Sequence, residues 1–296
     1  MTDRTGSAEG SGLVVVDKPG GMTSHDVVAR VRRAAGTRKV GHAGTLDPMA
    51  TGVLVLGVNR ATRLLGHLTL TDKAYDATVR LGQSTVTDDA EGDVLATATA
   101  AHLTDEEVAA ALGEFVGAIE QRPSAVSAVK VDGQRAYKRV RSGEQVDLPA
   151  RPVTVHELTL GPVARNGDLV DVQISVRCSS GTYVRAIARD LGAALEVGGH
   201  LTRLRRTAVG PFTLADSTTL ERLAEAFAMV GIDDVAARCF RTCQLDADQA
   251  RDVGYGRRLE LDLGAGGPVA VLGPGREFLA LYEQKGELAV PVAVFS

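Results

Sequence analysis

What the chain lacks narrows it first. No window approaches the roughly 18 apolar residues of a bilayer span, so a transmembrane helix is not expected. Residues 1–12 (MTDRTGSAEGSG) have no apolar core and read as a flexible tail, not a signal peptide. There are only three cysteines, Cys178, Cys239 and Cys243; they cannot all pair and form no metal set, so a reduced, cytoplasmic setting is expected. No H-E-x-x-H, P-loop or paired-cysteine pattern occurs, and nothing repeats at a fixed period. A positive balance is missing too: the net charge is −4, which taken alone speaks against a nucleic-acid partner.

What is present is an ordinary globular composition, 44% hydrophobic and 24% charged, over 296 residues, enough for one large domain or a large one plus a small one. The charge is unevenly placed. Between Val27 and Gly41 stand five basic residues (Arg30, Arg32, Arg33, Arg38, Lys39) and no acidic one. From Gln121 to Arg151 seven basic residues face three acidic ones, and from Arg177 to Arg206 six face two. Residues 70–115 carry ten Asp or Glu against Lys73 and Arg80. Such clustering suits one polarised binding face, although solvated helix faces give the same counts.

In chain order, Leu13–Asp17 reads as a strand ending in a turn at Lys18–Gly21. Ser24 is expected to cap a helix with Val27, Val28, Val31, Ala34 and Ala35 on one face and Gly36 as its stop. Asn59 is expected to cap a short helix through Leu65. Lys73 to Leu81 alternates, with Tyr75, Ala77, Val79 and Leu81 on one side. The acidic stretch Thr87–Asp93 lacks calcium-loop spacing and reads as a solvated turn. Thr104 to Glu107 is a capping box opening a helix with Val108, Leu112, Phe115 and Ile119 inward. Pro123–Val131 is expected as a strand and Gln134–Ser142 as a short basic helix. Pro152–Leu160 and Leu169–Cys178 are alternating strands; then Ser179–Thr182 turns into a helix carrying Tyr183 and Arg185. A basic segment His200–Arg206 and a helix around Leu220–Met229 follow. The pattern resets near 231–240, and from Leu245 it gives one helix, then strands near Leu259, Val269, Phe278 and Val290. The predicted class is α+β on a mixed, mostly antiparallel sheet with flanking helices, plus a small β-rich unit at the C-terminal end.

One stretch organises the rest: Gly41-His42-Ala43-Gly44-Thr45-Leu46-Asp47-Pro48-Met49-Ala50-Thr51-Gly52, followed by the apolar run Val53–Leu56. Its glycines permit close backbone approach, and Pro48 biases Asp47 away from helical angles. The run behind it reads as a buried strand. A carboxylate on a shaped loop against a rigid strand suits chemistry, whereas an Asx turn or helix cap uses the same Asp-Pro pair without any.

This stretch resembles the signature of the TruB-type tRNA pseudouridine synthases, in which the Asp of a G-H-x-G-x-L-D-P-x-A-x-G loop is catalytic; every position of it is filled here, and Asp47 takes the catalytic place. The resemblance runs from roughly Leu13 to Val230. It implies a pseudouridine-synthase-like catalytic domain over 13–235 with an RNA-gripping insertion at about 121–151. A PUA-like RNA-binding domain over 240–296 is implied as well. Within the insertion, Ser124 stands where a second proline is common and Val126 where an aromatic is typical. The implied reaction is isomerisation of uridine 55 in the T-arm loop of tRNA, on a flipped-out nucleotide and without metal or redox cofactor. The implied partner is the tRNA T-arm stem-loop, with no membrane contact and no obligate protein partner, the enzyme acting as a monomer.

By the same resemblance, Asp47 is a nucleophile toward C1′ or C6, or promotes elimination through C2′. Arg185 pairs with it, and an adjacent arginine favours the charged form of a carboxylate. Tyr75 stacks on the base, Tyr183 walls the pocket, His42 occupies the space near the flipped base and Leu204 closes the uracil pocket. Lys18, Lys130 and Arg135 complete the substrate-binding set. Read singly, Arg185 would be a surface arginine, Tyr75 and Leu204 core residues, and Lys18 a solvated lysine. Two rivals stand beside this reading: an RNA-binding or RNA-folding protein with little catalysis, and an aspartate-nucleophile hydrolase for a small substrate.

Overall fold

The computed structural model describes residues 10–124, 130–131, 134–135, 148–264 and 266–295, the short pieces at 130–135 as backbone only. Its centre is one twisted sheet. The strands are β1 (Gly12–Lys18), β2 (Val40–Ala43), β3 (Thr51–Val58), β4 (Lys73–Leu81), β5 (Gln83–Thr85), β6 (Val94–Thr97) and β7 (Gly117–Gln121). They continue as β8 (Lys130–Val131), β9 (Gln134–Arg135), β10 (Arg151–Asn166), β11 (Leu169–Cys178), β12 (Gly199–Val209), β13 (Phe212–Thr213) and β14 (Val230–Gly231). The central order is β14-β1-β3-β12-β4-β11-β10-β7, with β2 added to β3 and β13 to β12. Every pairing in it is antiparallel except β12 with β3.

The alternating segments fold as their period dictates. Lys73, Tyr75, Ala77, Val79 and Leu81 bury one face of β4, and Val170, Val172, Ile174, Val176 and Cys178 bury one face of β11. Against that face pack the helices α1 (Ser24–Ala34), α3 (Asp105–Gly113) and α4 (Val184–Ala194), α2 being the short Leu65–Thr69. The capping box at Thr104 and Glu107 is present as expected. That helix ends at Gly113, so Ile119 lies on β7 instead.

Other ends differ from expectation for physical reasons. Thr23, not Ser24, caps α1, because Asp26 three residues on completes a box with it. Ser24 is left free to exchange hydrogen bonds with the backbone of Leu46. Asn59 caps nothing; at φ 55 it takes a hydrogen bond from Thr37 and donates one to the carbonyl of Gly10, at the end of the stretch read as a tail. Gln134 and Arg135 pair with Val131 and Lys130 as a strand, not a helix. The rest of that expected helix, and residues 125–129 of the preceding expected strand, lie outside the described residues.

The other face of β1 and β3 carries Leu13, Val15, Val53 and Val55. After α5 (Leu220–Glu225), which packs in the cluster on the opposite face, the chain covers this one with α6 (Ile232–Cys239) and a second sheet, α7 (Ala247–Gly254) packing in a further cluster of that sheet. The sheet has the order β15 (Arg241–Gln244), β16 (Val269–Leu272), β17 (Phe278–Lys285), β18 (Leu288–Val294). Ala270, Leu272, Phe278, Leu281 and Phe295 join Leu13, Val15, Val53 and Val55 in one apolar cluster. Leu259, expected in a strand, makes only a single bridge to Ala289. Among the described residues no helix is long and apolar enough to cross a membrane.

Candidate active site

The loop between β2 and β3 is folded against β12. Gly52, at φ +99, pairs with Arg206, and a Cβ there would lie 2.2 Å from the Arg206 carbonyl oxygen. The side chain of Arg206, 1% exposed, returns across the loop: Nε donates to the carbonyl of Val53 at 2.7 Å, Nη1 to Thr45 at 3.3 Å and Nη2 to Gly44 at 3.1 Å. Lys18, fully buried, lies beneath the same loop and donates to the carbonyls of Pro19, Met22 and Pro48. Burial lowers its amine to about 8, with Asp47 pulling the other way. Ser24, through Leu46, fixes the residue before Asp47. A rigid frame therefore carries one partly exposed carboxylate.

That carboxylate meets Arg185. Nε of Arg185 is 3.1 Å from Oδ2 of Asp47 and Nη2 is 3.5 Å from Oδ1, a forked contact between residues 138 positions apart. Arg185 sits in the first turn of α4, whose start is held by Gln121: its amide oxygen accepts from the Tyr183 N–H at 2.7 Å and its amide nitrogen donates to the Tyr183 carbonyl at 3.0 Å. The Arg185 side chain is 7% exposed, so it is no surface arginine. Its Nη1 reaches the carbonyl of Thr87 at 2.9 Å and Oδ2 of Asp89 at 3.3 Å.

Asp89 corrects the reading of the acidic stretch as a solvated turn. It is 2% exposed, accepts from Thr87 and from the N–H of Glu91, and gives Arg185 a second carboxylate. A buried arginine pulls this aspartate inward because the pair costs less out of water than either ion alone. Next to it Asp88 pairs with Arg189 on the same helix.

A cavity of about 300 Å³ opens beside the pair, lined by Asp47, Lys73, Tyr75, Tyr183, Arg185, Leu204 and Arg206 among others. Tyr75 and Leu204 are 8% and 6% exposed and face it from adjacent strands. Burial raises the Tyr75 phenol above its usual range, against the opposing pull of Arg206, so it stays protonated at neutral pH. His42 lies on β2 outside the cavity wall, its ring edge-on to His25 at 5.6 Å, and Lys18 is outside it as well. The side chains of Lys130 and Arg135 lie outside the described residues. Asp89, Lys73 and Arg206 were missed by the sequence reading. Lys73 and Arg206 had a readable signal, since each stands two positions from an inward-facing residue, Tyr75 and Leu204, on an alternating strand.

Three stretches of the chain match known family descriptions: residues 32–184 the TruB family pseudouridylate synthase N-terminal domain, 185–247 the tRNA pseudouridylate synthase B C-terminal domain, and 240–296 the tRNA pseudouridine synthase II C-terminal region. The chain belongs to the TruB family. TruB relatives called tRNA pseudouridine synthase B include one from Nocardia farcinica, 57% identical over 96% of this chain and 92% of the relative. Another, from Paenarthrobacter aurescens, is 53% identical over 97% of this chain and 95% of the relative. Among solved structures, a Cbf5-Nop10-Gar1 complex aligns with a TM-score of 0.74 at 25% identity, covering 98% of this chain and 85% of that one. An H/ACA RNP bound to a substrate RNA containing 2′-deoxyuridine aligns at 0.72 and 25%, covering 96% and 85%. The TruB fold thus extends across both sheets.

Proposed function

We propose that this protein isomerises uridine 55 in the T-arm loop of tRNA to pseudouridine, acting as a monomer in the cytoplasm. The observation that carries the reading is the Asp47–Arg185 fork opening onto a cavity walled by Tyr75, Tyr183 and Leu204. Naming of the relatives as tRNA pseudouridine synthases supports tRNA as substrate. The target atoms are out of reach in a stacked loop, so the nucleotide is flipped into the cavity at a cost of a few kcal/mol. Asp47 attacks C1′ or C6, or promotes elimination through C2′, while Arg185 fixes its direction. Tyr75 stacks on the base and Leu204 retains the uracil as it turns. Lys130 and Arg135 belong to the RNA-gripping insertion at about 121–151, and residues 240–296 to a PUA-like domain.

The test uses tRNA carrying C5-tritiated uridine, because forming the C5–C1′ bond expels the C5 hydrogen. Wild type is expected to release tritium and to place pseudouridine at position 55 alone. Asp47→Asn keeps size and polarity but loses charge and nucleophilicity. It should release none while holding tRNA with near wild-type affinity, since contacts spread over the arm dominate binding. Tritium release by pure Asp47→Asn protein would overturn the assignment. Retained binding with no release by wild type would favour an RNA-folding role.

A further inference from the structure

The roles assigned above leave the charges of two buried cations in the cavity wall without a part in the chemistry. Lys73 opens β4, is 7% exposed and faces the same side as Tyr75. Its Nζ donates to the carbonyls of Thr69 at 2.9 Å and Thr71 at 2.8 Å. An ammonium has three N–H donors, and among the described residues the third has no protein acceptor. Beside it stands Arg206, whose hydrogen bonds to Gly44, Thr45 and Val53 all go to neutral carbonyls. Among the described residues neither cation forms a salt bridge. Asp72, next in sequence to Lys73, directs its carboxylate to His156 and Arg177 instead.

Two like charges withdrawn from water repel each other, and a buried ion without a counter-charge costs several kcal/mol. The arrangement is favourable when an anion enters between the cations and the cavity. Burial, with Arg206 adding to it, lowers the Lys73 amine to about 8, which leaves it mainly charged at neutral pH. A buried, perturbed amine in a cavity wall is the physical mark of a functional group.

We propose that Lys73, backed by the field of Arg206, is a catalytic residue that donates a hydrogen bond to the uracil carbonyl oxygen on which negative charge develops. This rests on the reading of the cavity as a uridine site. When the C1′–N1 bond breaks, its electron pair goes to N1 and spreads over O2 and O4. The ribose C1′ bonds to the Asp47 carboxylate, and that bond breaks again as C5 attacks; or the sugar gives its C2′ proton to a base and regains it at C2′ as C5 adds. C5 then returns the pair to C1′, and the C5 proton leaves to a base or to water. Attack of Asp47 at C6 places the pair on C5 and O4 instead, and the C6–O bond is released once C5 holds C1′, so the base is anionic on each route. No proton passes through Lys73. Donors fixed in place where charge develops lower a barrier more than they strengthen substrate binding. The other anion that could enter, a phosphate of the flipped nucleotide, is favoured less, because the two cations lie in the wall with Tyr75 and Leu204.

Lys73→Gln keeps an amide donor for the Thr69 and Thr71 carbonyls and removes the charge. With C5-tritiated tRNA its kcat is expected to fall about 100-fold or more, as when one oxyanion donor is removed. KM and the tRNA Kd should stay within roughly twofold of wild type. Lys73→Arg should recover part of the rate. Wild-type turnover should decline above a pH of about 8. The groups facing Lys73 are Arg206, Cys178, Tyr75 and Asp72; burial pushes Cys178 up to about 11 and Tyr75 upward, so neither accounts for that decline. Lys18 also titrates at about 8, and the Lys73→Arg variant separates the two: loss of the alkaline decline there assigns it to Lys73. A raised Kd or KM with kcat unchanged would transfer the site to phosphate and overturn the proposal. Wild-type kinetics in Lys73→Gln would overturn it too, leaving Lys73 as a cap of α2. If Lys73→Gln melts below the assay temperature, the Lys73→Arg profile decides, and a decline still centred near 8 overturns the proposal. A wild type that releases no tritium refutes the function itself, a result distinct from all of these.

Discussion

Arg185 is held from two sides. Asp47 takes its Nε and Nη2, and Asp89 takes its Nη1, so the guanidinium plane cannot turn without leaving one carboxylate. Asp47 is one-third exposed while Asp89 is almost closed from solvent, so the inner carboxylate anchors the arginine and the outer one faces the cavity. Asp89→Asn keeps the volume and part of the hydrogen bonding but removes the anchoring charge. Breaking a buried ion pair from one side costs on the order of 3 kcal/mol. The variant is therefore expected to unfold at lower denaturant and to lose most of its tritium release. Wild-type turnover in a fully folded Asp89→Asn protein would show that the outer pair orients itself.

At the scale of elements, the Asp47 loop takes its shape from β12. Gly52 lies against the backbone of Arg206, and no side chain fits there: its φ is +99 and the nearest backbone oxygen would be 2.2 Å from a Cβ. Gly52→Ala must push β3 and β12 apart just where they pair in parallel. Loss of turnover and a clear fall in Tm are expected, measured on the same preparation by tritium release and thermal denaturation. An active Ala variant of unchanged Tm would mean that the loop is set elsewhere. Much of this layer was legible in the sequence. The strands Lys73–Leu81 and Leu169–Cys178 declared themselves by alternation, whereas the Asp47 loop stood out by its resemblance to the TruB signature, its glycines and Pro48 alone leaving an Asx turn or helix cap open. Asp89 was not legible, because an acidic run reads as solvated until a buried arginine from another element turns it inward. The burial of Lys18, which the resemblance had placed in the substrate-binding set, was hidden for the same reason: a lysine is exposed by default, and only the fold supplies the three carbonyls that accept its hydrogen bonds. The start of α1 was misplaced by one residue because Thr23 and Ser24 are both good caps, and the deciding partner of Ser24 is distant Leu46.

At the scale of the whole molecule, the ten-stranded and four-stranded sheets share one apolar cluster. Phe278, Leu281 and Phe295 cover the back of β1 and β3, and Arg60 and Arg63 fasten the end of β18 by hydrogen bonds to the carbonyls of Phe295 and Val294. Removing the chain after Cys239 would leave α6 in place but strip the second sheet's share of the cover from the face of Leu13, Val15, Val53 and Val55, opening an apolar patch of the kind that drives association. Such a fragment is expected to aggregate on gel filtration and to lack a cooperative thermal transition. A monomeric, active fragment would show that the ten-stranded sheet stands alone. The same cluster bears on descent. Val53 and Val55 follow the Asp47 loop directly and share their cluster with Phe278 and Phe295, so changes in the girth of the two valines are expected to couple to changes at those phenylalanines. Grafting the C-terminal segment of a relative at 53% identity should then work only when those partners travel together.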